Sequence, residues 1–232
     1  MPHPSAMHTT FQSGGKTIRL ESFEAVAHPT GGVRPAVILL HGAGGNATHW
    51  PSALRPITSH LGMALYAVHY FDRTHTARAD AALLADGIHV PLWLDTLRDG
   101  LRHIAQRPHV DPQRIALVGI SLGAFLSLAL GTETSPDYRI RAIVDISGGL
   151  VQPYEANATA AFPPTLICHG EADTVVPPTY ARSLDAVLTR LQVSHEMHLF
   201  PAESHWFSMP AQEQIFTFIA PFLIDQMKPR AS

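Results

Sequence analysis

Short, wholly apolar runs recur along the chain and alternate with segments that have the spacing of amphipathic helices. The clearest run, AVILL, covers residues 36–40. Such a run is typical of a strand in a parallel sheet that helices cover on both faces. Because these runs alternate with helical patterns, the sequence predicts an α/β fold with a mostly parallel central sheet flanked by helices. The other predicted strands cover residues 18–26, 65–70, 115–118, 142–146, 165–168 and 194–200.

The helical patterns lie between these runs. Residues 122–130 are apolar nearly all round and predict a buried helix. Pro221 interrupts the last pattern, and we expect it to kink or break that helix. The remaining patterns predict helices near residues 51–62, 94–104 and 178–191, and a C-terminal helix over residues 215–223.

Length and composition favour one domain. The chain has 232 residues, of which 46% are hydrophobic, enough to bury the core of one larger α/β domain. We assign this domain to residues 16–228 and expect the N-terminal segment 1–15 to be poorly ordered. The two longest irregular stretches, 72–91 and 148–163, are too short for a further domain, so we expect no large lid domain. The first of them either covers part of a site or is a surface excursion.

Charge and cysteine content exclude several classes of protein. A net charge of −3, with only 15% charged residues, does not provide a basic surface for nucleic acid. No stretch reaches about 18 consecutive apolar residues, and the first residues lack the pattern of a secretory leader. The single cysteine, Cys168, excludes an internal disulfide. We expect a cytoplasmic protein without a nucleic-acid or membrane partner, and the oligomeric state stays open.

The motif GISLGA places a serine, Ser121, directly after an apolar strand and before the buried helix. In the pattern G-x-S-x-G, the serine occupies a sharp strand-to-helix turn that exposes its hydroxyl. Gly119 and Gly123 then leave room for the neighbouring strand and helix. The alternative is a chance glycine turn, but the strand before the motif and the helix after it favour a nucleophile.

A serine nucleophile needs a base and an acid, which follow it in the chain order Ser, Asp or Glu, His. Asp173 follows a predicted strand in HGEADTVVP, and His205 follows the last strand in PAESHWF. His205 would take the proton from Ser121, and Asp173 would orient the imidazole. Asp145 also lies near a strand end and is the competing candidate for the acid.

Two backbone N–H groups should form an oxyanion hole. One is that of Leu122, the residue after the nucleophile. The other comes from the loop HGAGGN at residues 41–46, where we choose Ala43 and keep Gly44 as the alternative. This loop lacks both the G-x-G-x-x-G and the G-K-[ST] patterns, which argues against nucleotide phosphate binding.

Aromatic residues beside these loops are candidates for the substrate pocket, although each could instead be plain core. Arg73 could hold a substrate carboxylate, or it could pair with Asp72 or Asp80. No H-E-x-x-H or C-x-x-C pattern occurs, so we expect neither a metal nor another cofactor. The predicted substrate-binding residues are Gly44, Trp50, Tyr70, Phe71 and Trp206.

The motifs LLHGAGG, GISLGA, HGEADTVVP and ESHWF, in this order, resemble those of the α/β-hydrolase superfamily. The compact length, YFDRT at residues 70–74 and VDPQRIALVGISLGA at residues 110–124 are similar to dienelactone hydrolase-like proteins. The resemblance covers residues 16 to 225 and implies the hydrolase fold and its catalytic machinery. Dienelactone hydrolases proper are known for a cysteine nucleophile, whereas this chain has Ser121.

The resemblance and the residues together predict a serine hydrolase of small carboxylic esters, thioesters or lactones, which acts through an acyl-enzyme. The expected partner is therefore a small ester-type molecule. The alternatives are a serine peptidase of the same fold and a non-catalytic ligand-binding protein built on it.

Overall fold

A computed structural model of the chain describes residues 7–23, 32–45 and 49–229, without the side chain of residue 49. The strands are β1 (Met7–Ser13), β2 (Lys16–Phe23), β3 (Arg34–Leu40), β4 (Ala64–Val68), β5 (Val110–Ile120), β6 (Ile140–Ile146), β7 (Thr165–Gly170) and β8 (His195–Phe200). They form one eight-stranded sheet in the order β1-β2-β4-β3-β5-β6-β7-β8. This mostly parallel sheet, flanked by helices, confirms the predicted α/β fold.

Helices connect the strands, as the alternating pattern predicts. They are α1 (His49–His60), α2 (Ala81–Ala85), α3 (His89–Ala105), α4 (Leu122–Gly131), α5 (Thr179–Arg190) and α6 (Met209–Gln226). Nearly every residue of α4 is buried, which confirms the buried helix expected from its all-round apolar sequence. None of the helices in the described parts of the chain is long and apolar enough to cross a membrane.

Contacts divide the chain into two compact units, and the first contains the sequence up to Ile115 together with Pro136–Arg139. Here β1 and β2 form an antiparallel hairpin, β2 pairs antiparallel with β4, and β3 pairs parallel with β4. Every residue of β3 is buried, as expected for the wholly apolar run 36–40, and this includes Arg34 at the start of the strand. Helix α1 packs against β3 and β4, and α3 packs against β1.

The second unit contains Ala116–Ser135 and the chain from Ile140 onward. Its strands β6, β7 and β8 are parallel neighbours, with Ile146 beside Cys168 and Gly170 beside Phe200. Helices α4 and α6 pack against β6, while α5 packs against β7 and β8. The segment 147–164, all of which is described, contains only one short 3-10 helix at Tyr154–Asn157.

Two local features differ from the expectations. The segment 1–15 was expected to be poorly ordered, but Met7–Ser13 forms strand β1, because Gly14 and Gly15 adopt positive φ and close a hairpin with β2. Residues 1–6 lie outside the described parts of the chain. Helix α6 continues through Pro221, so the expected break is absent, while a kink there stays a prediction. Pro221 has no N–H to donate to the carbonyl of Thr217, four residues earlier in the helix. Because Thr217 is exposed, water can bond to this carbonyl instead.

Candidate active site

Ser121 sits in a strained turn between β5 and α4. Its backbone has φ 53° and ψ −120°, a conformation that costs a non-glycine residue on the order of 1–3 kcal/mol. A hydrogen bond of 2.8 Å from its N–H to the carbonyl of Ile146 ties the turn to β6. A Cβ atom on Gly119 would lie 2.4 Å from the carbonyl oxygen of Gly123, so the turn requires glycine at position 119. This is the local geometry that the motif predicts.

His205 lies in the loop after β8 and bridges the other two predicted side chains. Its Nε2 is 3.0 Å from Ser121 Oγ, and its Nδ1 is 2.7 Å from Asp173 Oδ2. Because a carboxylate only accepts hydrogen bonds, Nδ1 carries the proton, and the serine hydroxyl donates to Nε2. The structure thus brings together three side chains that the chain order alone suggested, all of them in the second unit.

Asp173 is held in the loop after β7 by the loop's own backbone. The N–H groups of Val175 and Val176 each donate to Oδ1 at 2.8 Å, which leaves Oδ2 for His205. The Asp173 side chain is completely buried. The carboxylate of Asp173 is therefore held by hydrogen bonds to both of its oxygens.

The loops that carry Asp173 and His205 are attached to each other through Glu203, which is not among the residues that the sequence predicts for the site. The N–H of Ala172 donates to the Glu203 carbonyl at 3.0 Å, and a Cβ atom on Gly170 would lie 2.3 Å from the same oxygen. The Glu203 carboxylate accepts hydrogen bonds from Ser208 Oγ at 2.6 Å and from its N–H at 2.7 Å, and these bonds lower the pKa of Glu203. The sequence signal was an acidic residue shortly before the N-cap serine of α6.

Asp145, the competing acid, is buried at the end of β6 in a different environment. Neither of its oxygens has a hydrogen-bond partner of ordinary geometry in the described structure. Burial raises the pKa of Asp145 to about 7, and the nearby N–H of Gly148 offsets only part of this increase. Asp173, not Asp145, is the carboxyl group that contacts His205.

The predicted oxyanion donors lie in different surroundings. Leu122 is the first residue of α4, where a backbone N–H has no carbonyl partner within its own helix. In the first unit, a tight turn closes the loop after β3, with the N–H of Gly45 bonded to the carbonyl of Gly42 at 3.1 Å. Within it Ala43 is half-buried and Gly44 is exposed. The choice between them as second donor stays a prediction.

Tyr70 and Phe71 belong to a buried aromatic cluster in the first unit. The Tyr70 ring stacks on that of His41 with 4.1 Å between the ring centroids, and the Tyr70 hydroxyl donates to the His41 carbonyl at 2.6 Å. Phe71 packs against His41 and Trp93. These contacts account for both side chains as packing, and their contact with a substrate stays a prediction, as does that of the half-buried Trp50.

Apolar side chains are exposed on the loops that carry Asp173 and His205 and at the start of α6. Trp206 is 75% exposed, and its ring meets the His205 ring edge-to-face with 5.1 Å between centroids. Val175, two residues after Asp173, is 63% exposed, and Met209 is 71% exposed. Isolated exposed apolar residues are ordinary, and Trp206 is distinguished from them by its contact with the His205 ring.

Arg73 has a structural role in place of the two alternatives considered from the sequence. Its guanidinium donates to the carbonyls of Ser13 and Gly14 in the β1–β2 hairpin. Asp72 pairs with Arg19 at 2.8 Å, and Asp80 accepts a hydrogen bond from the N–H of Leu83 at the start of α2.

Cys168 is buried on β7, and burial raises the pKa of its thiol. A buried thiol that keeps its proton is a poor nucleophile. Among the described residues, no group of three or more His, Cys, Asp or Glu side chains is placed to hold a metal ion.

The sheet order and the strand–serine–helix turn define the class of the protein as an α/β-hydrolase. A sequence profile of the dienelactone hydrolase family matches residues 22–223, and the chain belongs to that family. Comparison with curated proteins gives no match.

Solved structures with the same fold include esterases and peptidases. A dienelactone hydrolase-like promiscuous phosphotriesterase from metagenomic libraries superposes with a TM-score of 0.78 at 20% identity, over 97% of this chain and 99% of that one. The carboxylesterase Cest-2923 from Lactobacillus plantarum superposes with a TM-score of 0.75 at 16% identity, over 97% of this chain and 100% of that one. An acylaminoacyl peptidase from Pyrococcus horikoshii superposes with a TM-score of 0.76 at 14% identity, over 98% of this chain but only 42% of that longer chain. The family and these neighbours support an enzyme of the hydrolase type.

Proposed function

We propose that the protein is a serine hydrolase of small carboxylic esters, thioesters or lactones, with Ser121 as nucleophile, His205 as base and Asp173 as acid. The observation that carries the proposal is the continuous hydrogen-bonded chain, 3.0 Å from Ser121 Oγ to His205 Nε2 and 2.7 Å from His205 Nδ1 to Asp173. A base within hydrogen-bond reach of a hydroxyl, and itself oriented by a third group, is the arrangement that activates a serine.

In the first half of the reaction, Ser121 Oγ attacks the carbonyl carbon while its proton passes to His205 Nε2. The negative charge that develops on the carbonyl oxygen is stabilised by the N–H of Leu122 and by a second donor, Ala43 or Gly44. The protonated His205 then gives its proton to the leaving oxygen or sulfur as the bond to the acyl carbon breaks. The product is an acyl-enzyme on Ser121 and a free alcohol or thiol; a lactone keeps its alcohol attached.

In the second half, a water molecule replaces the leaving group. His205 takes one proton from the water, the hydroxyl oxygen attacks the acyl carbon, and the ester bond to Ser121 breaks. His205 returns the proton to Ser121 Oγ, and the carboxylic acid leaves. Asp173 keeps the imidazole in one tautomer and stabilises its cationic form throughout.

The exposed ring of Trp206, which contacts that of His205, favours substrates that carry an apolar group near the scissile bond. The rest of the pocket assignment, Gly44, Trp50, Tyr70 and Phe71, remains a prediction from the sequence.

The test uses p-nitrophenyl acetate and a fluorophosphonate probe on the wild type and on Ser121→Ala. Ser183→Ala serves as the matched control, because Ser183 is an exposed serine on α5 in the same unit. We expect hydrolysis and labelling in the wild type and in Ser183→Ala, and neither in Ser121→Ala. Full activity of Ser121→Ala would refute the nucleophile. Cleavage of peptide p-nitroanilides in preference to esters would favour the peptidase alternative.

A further inference from the structure

His169 is a buried histidine on β7 that lies four residues before Asp173. Its Nε2 is 2.8 Å from the carbonyl oxygen of Val176, and because a carbonyl only accepts, this nitrogen carries the ring proton. Burial lowers the pKa of His169 below its ordinary value, although the Val176 carbonyl opposes this effect. The ring is therefore neutral near pH 7, with a single N–H that points toward the acid loop.

The Nε2–H group of His169 helps to hold the loop that carries Asp173 in place. The carbonyl of Val176 accepts from His169, while the N–H of the same residue donates to Asp173 Oδ1 at 2.8 Å. His169 Nε2 also lies 3.5 Å from Asp173 Oδ2, the oxygen that accepts the proton of His205. The positive end of a fixed N–H dipole thus lies beside the oxygen that orients the base.

We infer that His169 is a positioning residue that keeps Asp173 Oδ2 turned toward His205, an inference that rests on the proposed function. Without a donor at Nε2, the buried carbonyl of Val176 would lose its hydrogen-bond partner. The loop would relax to recover a hydrogen bond, and the two N–H groups that hold Oδ1 would move with it. His205 would then lose its fixed orientation although no residue of the triad had changed.

Three substitutions separate this role from ordinary packing. In His169→Gln the amide nitrogen can reach the position of Nε2, whereas in His169→Asn it reaches only that of Nδ1. His169→Leu removes the donor and keeps the volume. We expect His169→Gln to retain kcat within about threefold, and the other two to lose about 10- to 100-fold in kcat, as with other residues that orient a catalytic group through hydrogen bonds. KM for p-nitrophenyl acetate should stay within about twofold, because His169 does not touch substrate.

Two further measurements distinguish positioning from destabilisation. Thermal unfolding of each variant shows how much folded protein is assayed, and rates are normalised to it. The second measurement is rescue: kcat normalised in this way should recover in His169→Gln, which restores a donor at the position of Nε2, and not in His169→Asn or His169→Leu. Equal activity in all three variants, or losses that only follow thermal stability, would overturn the inference.

A spectroscopic readout keeps the inference testable even if the esterase proposal fails. The Nδ1–H proton of His205 in its bond to Asp173 should give a far-downfield proton NMR signal, assigned by its loss in His205→Ala. We expect this signal in the wild type and in His169→Gln, and its loss or upfield movement in His169→Asn. If the wild type shows no ester hydrolysis, the proposed function fails while this test still stands. If hydrolysis occurs but signal and kcat are unchanged in His169→Asn, only the present inference fails.

Discussion

Replacement of Asp145 by Asn should stabilise the protein in a strongly pH-dependent way. Burial raises the pKa of Asp145 from 3.8 to about 7. Below about pH 4 the carboxyl is protonated in both the folded and the unfolded chain. Between about pH 4 and pH 7 the unfolded chain releases a proton that the folded chain retains, so the wild type loses stability as pH rises. With about 1.4 kcal/mol per pH unit, the loss over this window reaches about 4 kcal/mol.

The assay is urea unfolding, followed by tryptophan fluorescence, of the wild type and Asp145→Asn between pH 4.5 and pH 8. The difference in free energy of unfolding should grow by about 3 kcal/mol in favour of the variant, or roughly 6–12 °C in Tm for a chain of this size. Other groups also titrate: burial lowers the pKa of His41 to about 4, which removes stability as pH falls below its ordinary value of 6.5. Such contributions are common to both proteins and cancel in the difference.

The control is Asp225→Asn, the same change at an exposed aspartate that pairs with Lys228, where the difference should vary with pH by a few tenths of a kcal/mol at most. A difference between Asp145→Asn and the wild type that does not change with pH would refute the reasoning. Activity must be measured on the same samples, because Asp145→Asn should leave kcat nearly unchanged. A loss as large as that of Asp173→Asn would move the acid to position 145.

Three other substitutions test the site. Asp173→Asn should lower kcat on the order of 10⁴-fold, because the amide favours the wrong tautomer of His205; retention of most activity on p-nitrophenyl acetate would contradict this role. Gly119→Ala should cost about 3 kcal/mol or more in urea unfolding, because its Cβ would meet backbone atoms within 2.6 Å, whereas Gly32→Ala, with open space around it, should be neutral. Trp206→Ala should lower the ratio of kcat/KM for butyrate esters to that for acetate esters roughly fivefold. Each buried CH₂ contributes about 0.8 kcal/mol, and the exposed ring would cover only part of the two additional CH₂ groups of butyrate. An unchanged ratio would show that Trp206 does not contact the acyl chain.

Sequence alone predicts those parts of the molecule that repeat or that depend on chain order. The apolar runs predict most of the strands because a strand buried on both faces has no alternative composition. Ser121, Asp173 and His205 could be proposed because each follows a strand, and parallel strands place their carboxyl ends at one edge of the sheet.

Contacts between loops could not be predicted in this way. No sequence pattern predicts the role of Glu203, because its carbonyl and carboxylate connect the loop that carries Asp173 to the start of α6 only in the folded chain. The sequence suggested only carboxylate partners for Arg73. Its guanidinium instead donates to backbone carbonyls of a hairpin that the sequence patterns did not predict. Tyr70 and Phe71 show the same limit, because an aromatic residue beside a glycine loop has the same sequence pattern whether it packs inward or faces a ligand.

The surroundings of the two buried aspartates differ in a way that supports Asp173 as the acid of the proposed mechanism. Asp173 has two backbone N–H donors on one oxygen and an imidazole N–H on the other, so its surroundings are arranged for a carboxylate that accepts hydrogen bonds. Asp145 has only the nearby N–H of Gly148, outside ordinary hydrogen-bond geometry, and burial with so little compensation favours its protonated form. In the proposed reaction, a protonated carboxyl would not stabilise the imidazolium that forms when Ser121 attacks. Even if Asp145 came within reach of His205, it would therefore be the weaker partner near pH 7 unless that contact first removed its proton.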